Sequence, residues 1–256
     1  MDTAEFRSWC TIGTPIPTSG HRAGLIQSYD DSTGVTALAA ALPAAYAASG
    51  ALAAIAERLE KDALAKYLRN KVPTEKAARS GDMGEILATA YLHEEARYVV
   101  GPSRLIHRDH QEWAMRGDDA LGAKLHSDGK PVIVKAEAKS RTKVGKPTIT
   151  AAREGLARNE EMPSPHSLTQ FADRLLGTAD DDLGNAIIDL LLEDGVRPNR
   201  VSHLMFLFTS NDPSSQVAAD LQAYSGPVPQ LTITLQVQRH QEFIRDAYEI
   251  VIADGS

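Results

Sequence analysis

The chain has 256 residues, a formal net charge of −7 and 43% hydrophobic residues, enough for one large domain or one domain with an appendage. The acidity excludes a protein that coats nucleic acid through its own charge, because non-specific binding rests on basic side chains; it does not exclude an enzyme that cuts nucleic acid. The single cysteine, Cys10, excludes a disulfide framework and a thiolate metal site. No unbroken apolar run of the ~18 residues of a membrane span exists; Thr36 to Ile55 comes nearest and is interrupted by Pro43, Ser49 and Gly50, and Met1-Asp2-Thr3-Ala4-Glu5 lacks the basic start of a signal peptide. A cytoplasmic protein is expected.

Residues 1 to 35 are rich in Gly, Pro, Ser and Thr and read as strand and loop. Residues 36 to 70 form an Ala-rich helical region, with breaks expected at Pro43 and Gly50. Its second piece carries Ile55, Leu59, Leu64 and Leu68 near helical spacing and stops at Lys71-Val72-Pro73, since proline disfavours helix at the residue before it. This divides the chain into an N-terminal region, 1–75, whose helical arm packs on the core or on a partner subunit, and a main domain, 76–256.

Asp82 to Ala96 reads as a helix with Met83, Ile86, Leu87, Ala90 and Tyr91 on one stripe. Glu85 lies off that stripe. It either closes a capping box with Asp82 as N-cap or reaches out of the helix toward a site. Arg97 to Ile106 reads as a strand. His107 and His110 follow in a loop-like stretch; as solvated histidines they need no explanation, and as zinc ligands they lack cysteine partners.

The most informative stretch is Asp118 to Lys139. Asp128-Gly129 is a two-residue type I′ turn signal. Centred there, the hairpin pairs Ser127 with Lys130, Leu125 with Val132, Ala123 with Val134 and Leu121 with Ala136 on an apolar face. The opposite face pairs Lys124 with Ile133, Ala120 with Glu137 and Asp118 with Lys139. Two carboxylates and an amine then meet at one sheet edge. Such acids repel and raise one another's pKa unless a divalent cation sits between them. A hard ion, Mg²⁺ or Mn²⁺ in its place, takes oxygen ligands and keeps waters for a phosphate substrate. Lys139 lies on the same side of its strand as Glu137, where it can orient a water or neutralise a phosphate. Asp119, next to Asp118, is the fallback acid if the turn is longer or bulged.

Beyond the hairpin, Glu137 to Arg158 holds six basic residues, Lys139, Arg141, Lys143, Lys146, Arg153 and Arg158, against two glutamates. This is either a solvated face or a phosphate-backbone track. Pro147 to Asn159 reads as a helix, and residues 166 to 194 carry two more helical patterns. Asp180-Asp181-Asp182 falls at a helix start or an acidic loop, because consecutive residues do not converge on one ion. Val201 to Thr209 reads as a buried central strand, Leu231 to Val237 as a half-buried one, and His240 to Ile252 as a closing helix.

The order of these elements, a helix with Glu85, a strand, a hairpin with Asp118 and Glu137-Ala138-Lys139, a helix and a buried strand, resembles the PD-(D/E)xK nuclease superfamily. More narrowly, Gly84-Glu85, Arg116-Gly117-Asp118-Asp119 and Glu137-Ala138-Lys139 resemble the HamA nucleases of the Hachiman anti-phage system. The resemblance covers roughly residues 75 to 240. It implies an α/β fold, a restriction-endonuclease-like mixed sheet flanked by helices, and a Mg²⁺-dependent DNA endonuclease controlled by a HamB-like helicase subunit. On that pattern Asp118 (or Asp119), Glu137 and Glu85 hold metal, Lys139 positions the attacking water, and Arg116, Arg141, Lys143 and Lys146 face the DNA backbone. The alternative is a non-catalytic DNA- or partner-binding subunit.

Overall fold

A computed structural model describes residues 4–58, 61–101, 104–107, 111, 117–193 and 195–253. The N-terminal residues fold into a helical turn, α1 (Phe6–Trp9), and three strands, β1 (Cys10–Ile12), β2 (Ile16–Thr18) and β3 (His21–Ser28). The helical region follows as α2 (Asp31–Tyr46), α3 (Ser49–Arg58) and α4 (Lys61–Arg69). Asp30 caps α2 by accepting from the Ser32 and Thr33 amides, at 3.0 and 3.2 Å. Pro43 does not break this helix as expected. It lies in the last turn, and its carbonyl accepts from Ala47.

Next come α5 (Lys76–Glu94), the short β4 (Val99–Val100) and a 3₁₀ turn at Arg104–His107, in place of the longer strand expected up to Ile106. The hairpin is β5 (Ala120–Leu125) and β6 (Pro131–Ser140). Three helices follow, α6 (Lys146–Ala157), α7 (Pro165–Leu175) and α8 (Asp181–Leu192). The chain closes with β7 (Val201–Thr209), α9 (Ser214–Ala223), β8 (Gln230–Gln236) and α10 (His240–Ala253). The three aspartates 180–182 stand at the start of α8.

These strands form one mixed sheet in the order β1-β3-β8-β7-β6-β5-β4, with β2 beside β3. The four central strands, β3, β8, β7 and β6, are parallel, and the flanking pairs are antiparallel. Residues on both sides of position 75 thus build a single sheet.

The alternation of β7 explains its near-continuous apolar sequence. Leu204, Phe206 and Phe208 join the core formed with α2, α5 and α10. Met205 and Leu207 join a second core with α6 and α9. Both faces are covered, as parallel strands require. The same holds for β8, which is buried on both sides rather than half-buried; its Thr232 and Thr234 are 1% and 4% exposed. A third cluster seats α7 and α8 on Leu121, Ala123 and Ile133 of the hairpin. No single described helix is long and apolar enough to cross a membrane.

Candidate functional site

The hairpin turn differs from the two-residue type I′ turn expected. Only Gly129 has positive φ, at +77°, whereas type I′ needs it at both central residues. The turn instead spans Ser127, Asp128 and Gly129. His126 donates to the Lys130 carbonyl at 2.9 Å and Gly129 donates to the His126 carbonyl at 2.9 Å. The extra residue moves the register by one. Ala120 pairs with Ala136, Leu121 with Lys135 and Ala123 with Ile133, so the expected pairs Asp118–Lys139, Ala120–Glu137 and Leu121–Ala136 do not form. The apolar residues divide between the two faces.

This shift exchanges the two aspartates. Asp119, not Asp118, comes beside Glu137. Its Oδ2 accepts from the Ala138 amide at 2.9 Å, between Glu137 and Lys139 in sequence. Asp118 instead turns to a different lysine. Its Oδ1 lies 3.7 Å from Nζ of Lys135, and its Oδ2 accepts from the Ser164 amide at 2.9 Å. Lys135 itself is 1% exposed and donates to the carbonyls of Leu156, Arg158 and Met162 at 3.0, 2.7 and 3.0 Å. It thereby anchors the loop after α6, where Asn159, Glu160 and Glu161 all have positive φ, a conformation costly for residues with a Cβ.

Glu137 and Lys139 alternate onto one side of β6 and form an ion pair. Burial raises the pKa of Glu137, the Asp119 charge raises it further, and Lys139 opposes both. The carboxylate of Glu137 fits against α6 only because residue 155 is glycine; a Cβ there would collide with all three carboxyl atoms. A cavity of about 260 Å³ opens beside it, lined by Asp118, Glu137, Gly155, Arg158, Asn159 and His166 among others.

Glu85 is not part of a capping box, because α5 begins six residues before Asp82 and both lie inside the helix. Its carboxylate is gripped by Arg104, which donates from Nε at 2.8 Å and from Nη2 at 2.6 Å. The same Nη2 reaches Oδ1 of Asp119 at 3.1 Å. Burial pushes the Glu85 carboxyl up to about 7 despite Arg104, with Asp119 and Asp82 adding to the rise. Burial alone would lower the Arg104 pKa, but Glu85 and then Asp119 hold it above its ordinary value.

Sequence reasoning missed Arg104 and Lys135. Arg104 carries no local signal, since its partners are 19 and 15 residues away. Lys135 did carry one: period-two alternation puts it on the same side of β6 as Glu137 and Lys139.

Among the described residues, no three His, Cys, Asp or Glu side chains converge to hold a metal by themselves. The donor chemistry nonetheless fits a hard cation. Asp119 and Glu137 are close carboxylates, the Asp119 charge disfavours that of Glu137, and such cations complete their shells with water, carbonyl and phosphate oxygens.

Of the basic candidates, Arg141, Lys143 and Lys146 are exposed just past the end of β6. Arg153 is not available to a ligand in the same way: it pairs with Asp220, stacks 4.0 Å from the Tyr224 ring and donates to Gln230. Arg116, His110 and the side chain of His107 lie outside the described residues.

The HamA family model matches residues 6–251. A Bacillus cereus protein described as "Hachiman protein HamA" is 27% identical over 167 residues, 64% of this chain and 59% of that protein. The aligned stretch thus spans less than two thirds of that relative, whereas the family match runs from α1 to α10 and includes the N-terminal strands. The chain belongs to the HamA family.

Proposed function

We propose that this protein is a metal-dependent deoxyribonuclease of a Hachiman-type anti-phage defence system, hydrolysing phosphodiester bonds under the control of a helicase subunit. The observation that carries the reading is the group Asp119, Glu137 and Lys139 at the C-terminal end of β6, with the Glu137 carboxylate packed against Gly155 and lining a cavity. It is the residue set that metal-assisted hydrolysis needs, held on a rigid central strand. The exposed Arg141, Lys143 and Lys146 extend from the same strand end, where a phosphate backbone would run. The helicase partner and the defence role rest on family membership.

Asp119 and Glu137 would hold a Mg²⁺ or Mn²⁺ ion, with the Ala138 carbonyl as a further oxygen donor. When bound, the ion would neutralise phosphate charge and make a water more acidic. Hydrolysis forms one P–O bond to a water oxygen and breaks the P–O bond to a sugar oxygen, which leaves with a proton. Lys139 orients the attacking water and offsets charge on the phosphate. Its ion pair with Glu137 holds the ammonium beside that carboxylate. Glu85 serves through Arg104, as the anchor that fixes the guanidinium beside Asp119.

The test is cleavage of plasmid and linear DNA by the purified chain, alone and with the helicase encoded beside it, with Mg²⁺, Mn²⁺ or EDTA. Metal-dependent cutting is expected. Lys139→Ala and Glu137→Ala should each lower it at least about a hundredfold with circular dichroism and melting unchanged. Undiminished cutting by either variant would overturn the assignment. Absence of cutting under every condition would favour a non-catalytic subunit.

A further inference from the structure

We infer that Arg104 is the chain's own replacement for a second metal ion, so that the site takes one divalent cation per chain and not two. The inference rests on the metal-dependent reading above and adds its stoichiometry. Three carboxylates stand in series. Asp119 meets the Glu85 side through Arg104 Nη2 at its Oδ1 and the Glu137 side through the Ala138 amide at its Oδ2, which puts it between them. Each outer acid has its own fixed cation: Lys139 for Glu137 and Arg104 for Glu85. On the Glu137 side the cation is a point charge on a flexible stem, with its side chain 22% exposed. The Glu85 side is different.

There the guanidinium forks onto both oxygens of Glu85 and bridges to Asp119, the two-acid arrangement a bridging cation would adopt. Arginine never gives up its proton in this range, so this charge is permanent. Arg104 lines the cavity there, so its guanidinium holds the position between the two acids that a bridging cation would take. Arg174 lines the same cavity, and its pKa is lowered by burial and then by the Arg104 charge; a further cation would meet two guanidiniums.

Mn²⁺ binding to the full chain, counted by isothermal titration and by electron paramagnetic resonance of the bound ion, tests this without reference to cleavage. One ion per chain is expected for the wild type and for Arg104→Lys. A second, weaker ion is expected in Arg104→Gln, and its loss in the double variant Arg104→Gln/Glu85→Gln. Should Arg104→Gln fail to fold, Glu85→Gln alone decides: its Mn²⁺ affinity should stay within about threefold of wild type, and a tenfold loss would make Glu85 a ligand and overturn the inference. Two ions in a wild-type chain that cuts DNA would overturn the inference and leave the nuclease reading standing, as would a folded Arg104→Gln that still binds one. No bound ion in a chain that shows no metal-dependent cutting would overturn both.

Discussion

Two lysines four residues apart on one strand, each with an acidic partner, have opposite fates in this molecule. Lys135 is 1% exposed, and its ammonium is spent on three carbonyls of the chain's own backbone and on Asp118. Lys139 pairs with Glu137, which lines a cavity, and has a side chain 22% exposed. The strand, the side of the strand and the residue type are the same. What differs is what packs above them. The loop after α6, with its carbonyls pointed inward, closes over Lys135, whereas the Glu137 carboxylate fills the space left by Gly155 and lines a cavity. A charged pair whose hydrogen bonds end on its own backbone holds the fold. One that borders a cavity is able to act on a ligand.

The sharpest way to break this comparison is to remove each amine while keeping its bulk. Lys135→Met leaves the carbonyls of Leu156, Arg158 and Met162 without their donor and Asp118 without its countercharge. Breaking a buried pair from one side costs about 3–5 kcal/mol, and urea denaturation of the metal-free protein should show a loss of that size. Lys139→Met should cost less than Lys135→Met, because Lys139 is bound to one carboxylate rather than to three carbonyls and a carboxylate, and should abolish cleavage. Equal losses of stability would mean that both lysines are structural. The two aspartates sharpen the contrast. Asp118→Asn should lower stability by about 1–3 kcal/mol by removing the charge facing Lys135, and Asp119→Asn should instead remove metal-dependent cutting. If Asp118→Asn were the inactive variant and Asp119→Asn the unstable one, the assignment of the pair would be reversed.

The space left by Gly155 is the next target. Gly155→Ala puts a methyl where the Glu137 carboxylate sits, and overpacking of this kind costs about 1–3 kcal/mol. Glu137 must then move, so cleavage should fall with the stability. Gly155→Ala combined with Glu137→Ala should recover stability but not activity. A Gly155→Ala protein with full cleavage would mean that Glu137 works from another position.

How much of this was legible in the sequence depends on the range of the interaction. Asp128-Gly129 announced a hairpin, and Glu137-Ala138-Lys139 announced a side of a strand, because both are local geometry. The register was not legible. Only Gly129 takes positive φ, and Asp128 is held by Arg200, 72 residues away, so a two-residue turn could not be told from a three-residue one. That single residue decided which aspartate meets Glu137. Alternation also misled at β8. Leu231-Thr232-Ile233-Thr234 reads as half-buried, yet it lies between β3 and β7 under helices on both faces. The N-terminal region hid its contribution for a similar reason. The partner of β3 is β8, about 200 residues further on, and no local pattern reports a parallel pairing of that length.

The most gradual expected effect, spread over pH, lies in a pair between the two extremes, Glu85 with Arg104. Burial lifts the Glu85 carboxyl from 4.5 to about 7. Because the folded pKa is the higher one, the folded protein binds the extra proton between those values. Stability from this group is therefore complete below about 4.5 and is lost as pH rises through about 7. His240 works in the other direction. Burial lowers its pKa to about 4, so its contribution is lost as pH falls from 6.5 toward 4. The two trends overlap in the wild type, and the difference from Glu85→Gln separates them. Relative to that variant, metal-free wild type should lose stability steadily from pH 5 to pH 7.5, by no more than about 3 kcal/mol, and level off above. A difference that stays flat across this range would mean that Arg104 keeps Glu85 ionised throughout. The pair would then belong with Lys135 as a fixed element of the fold.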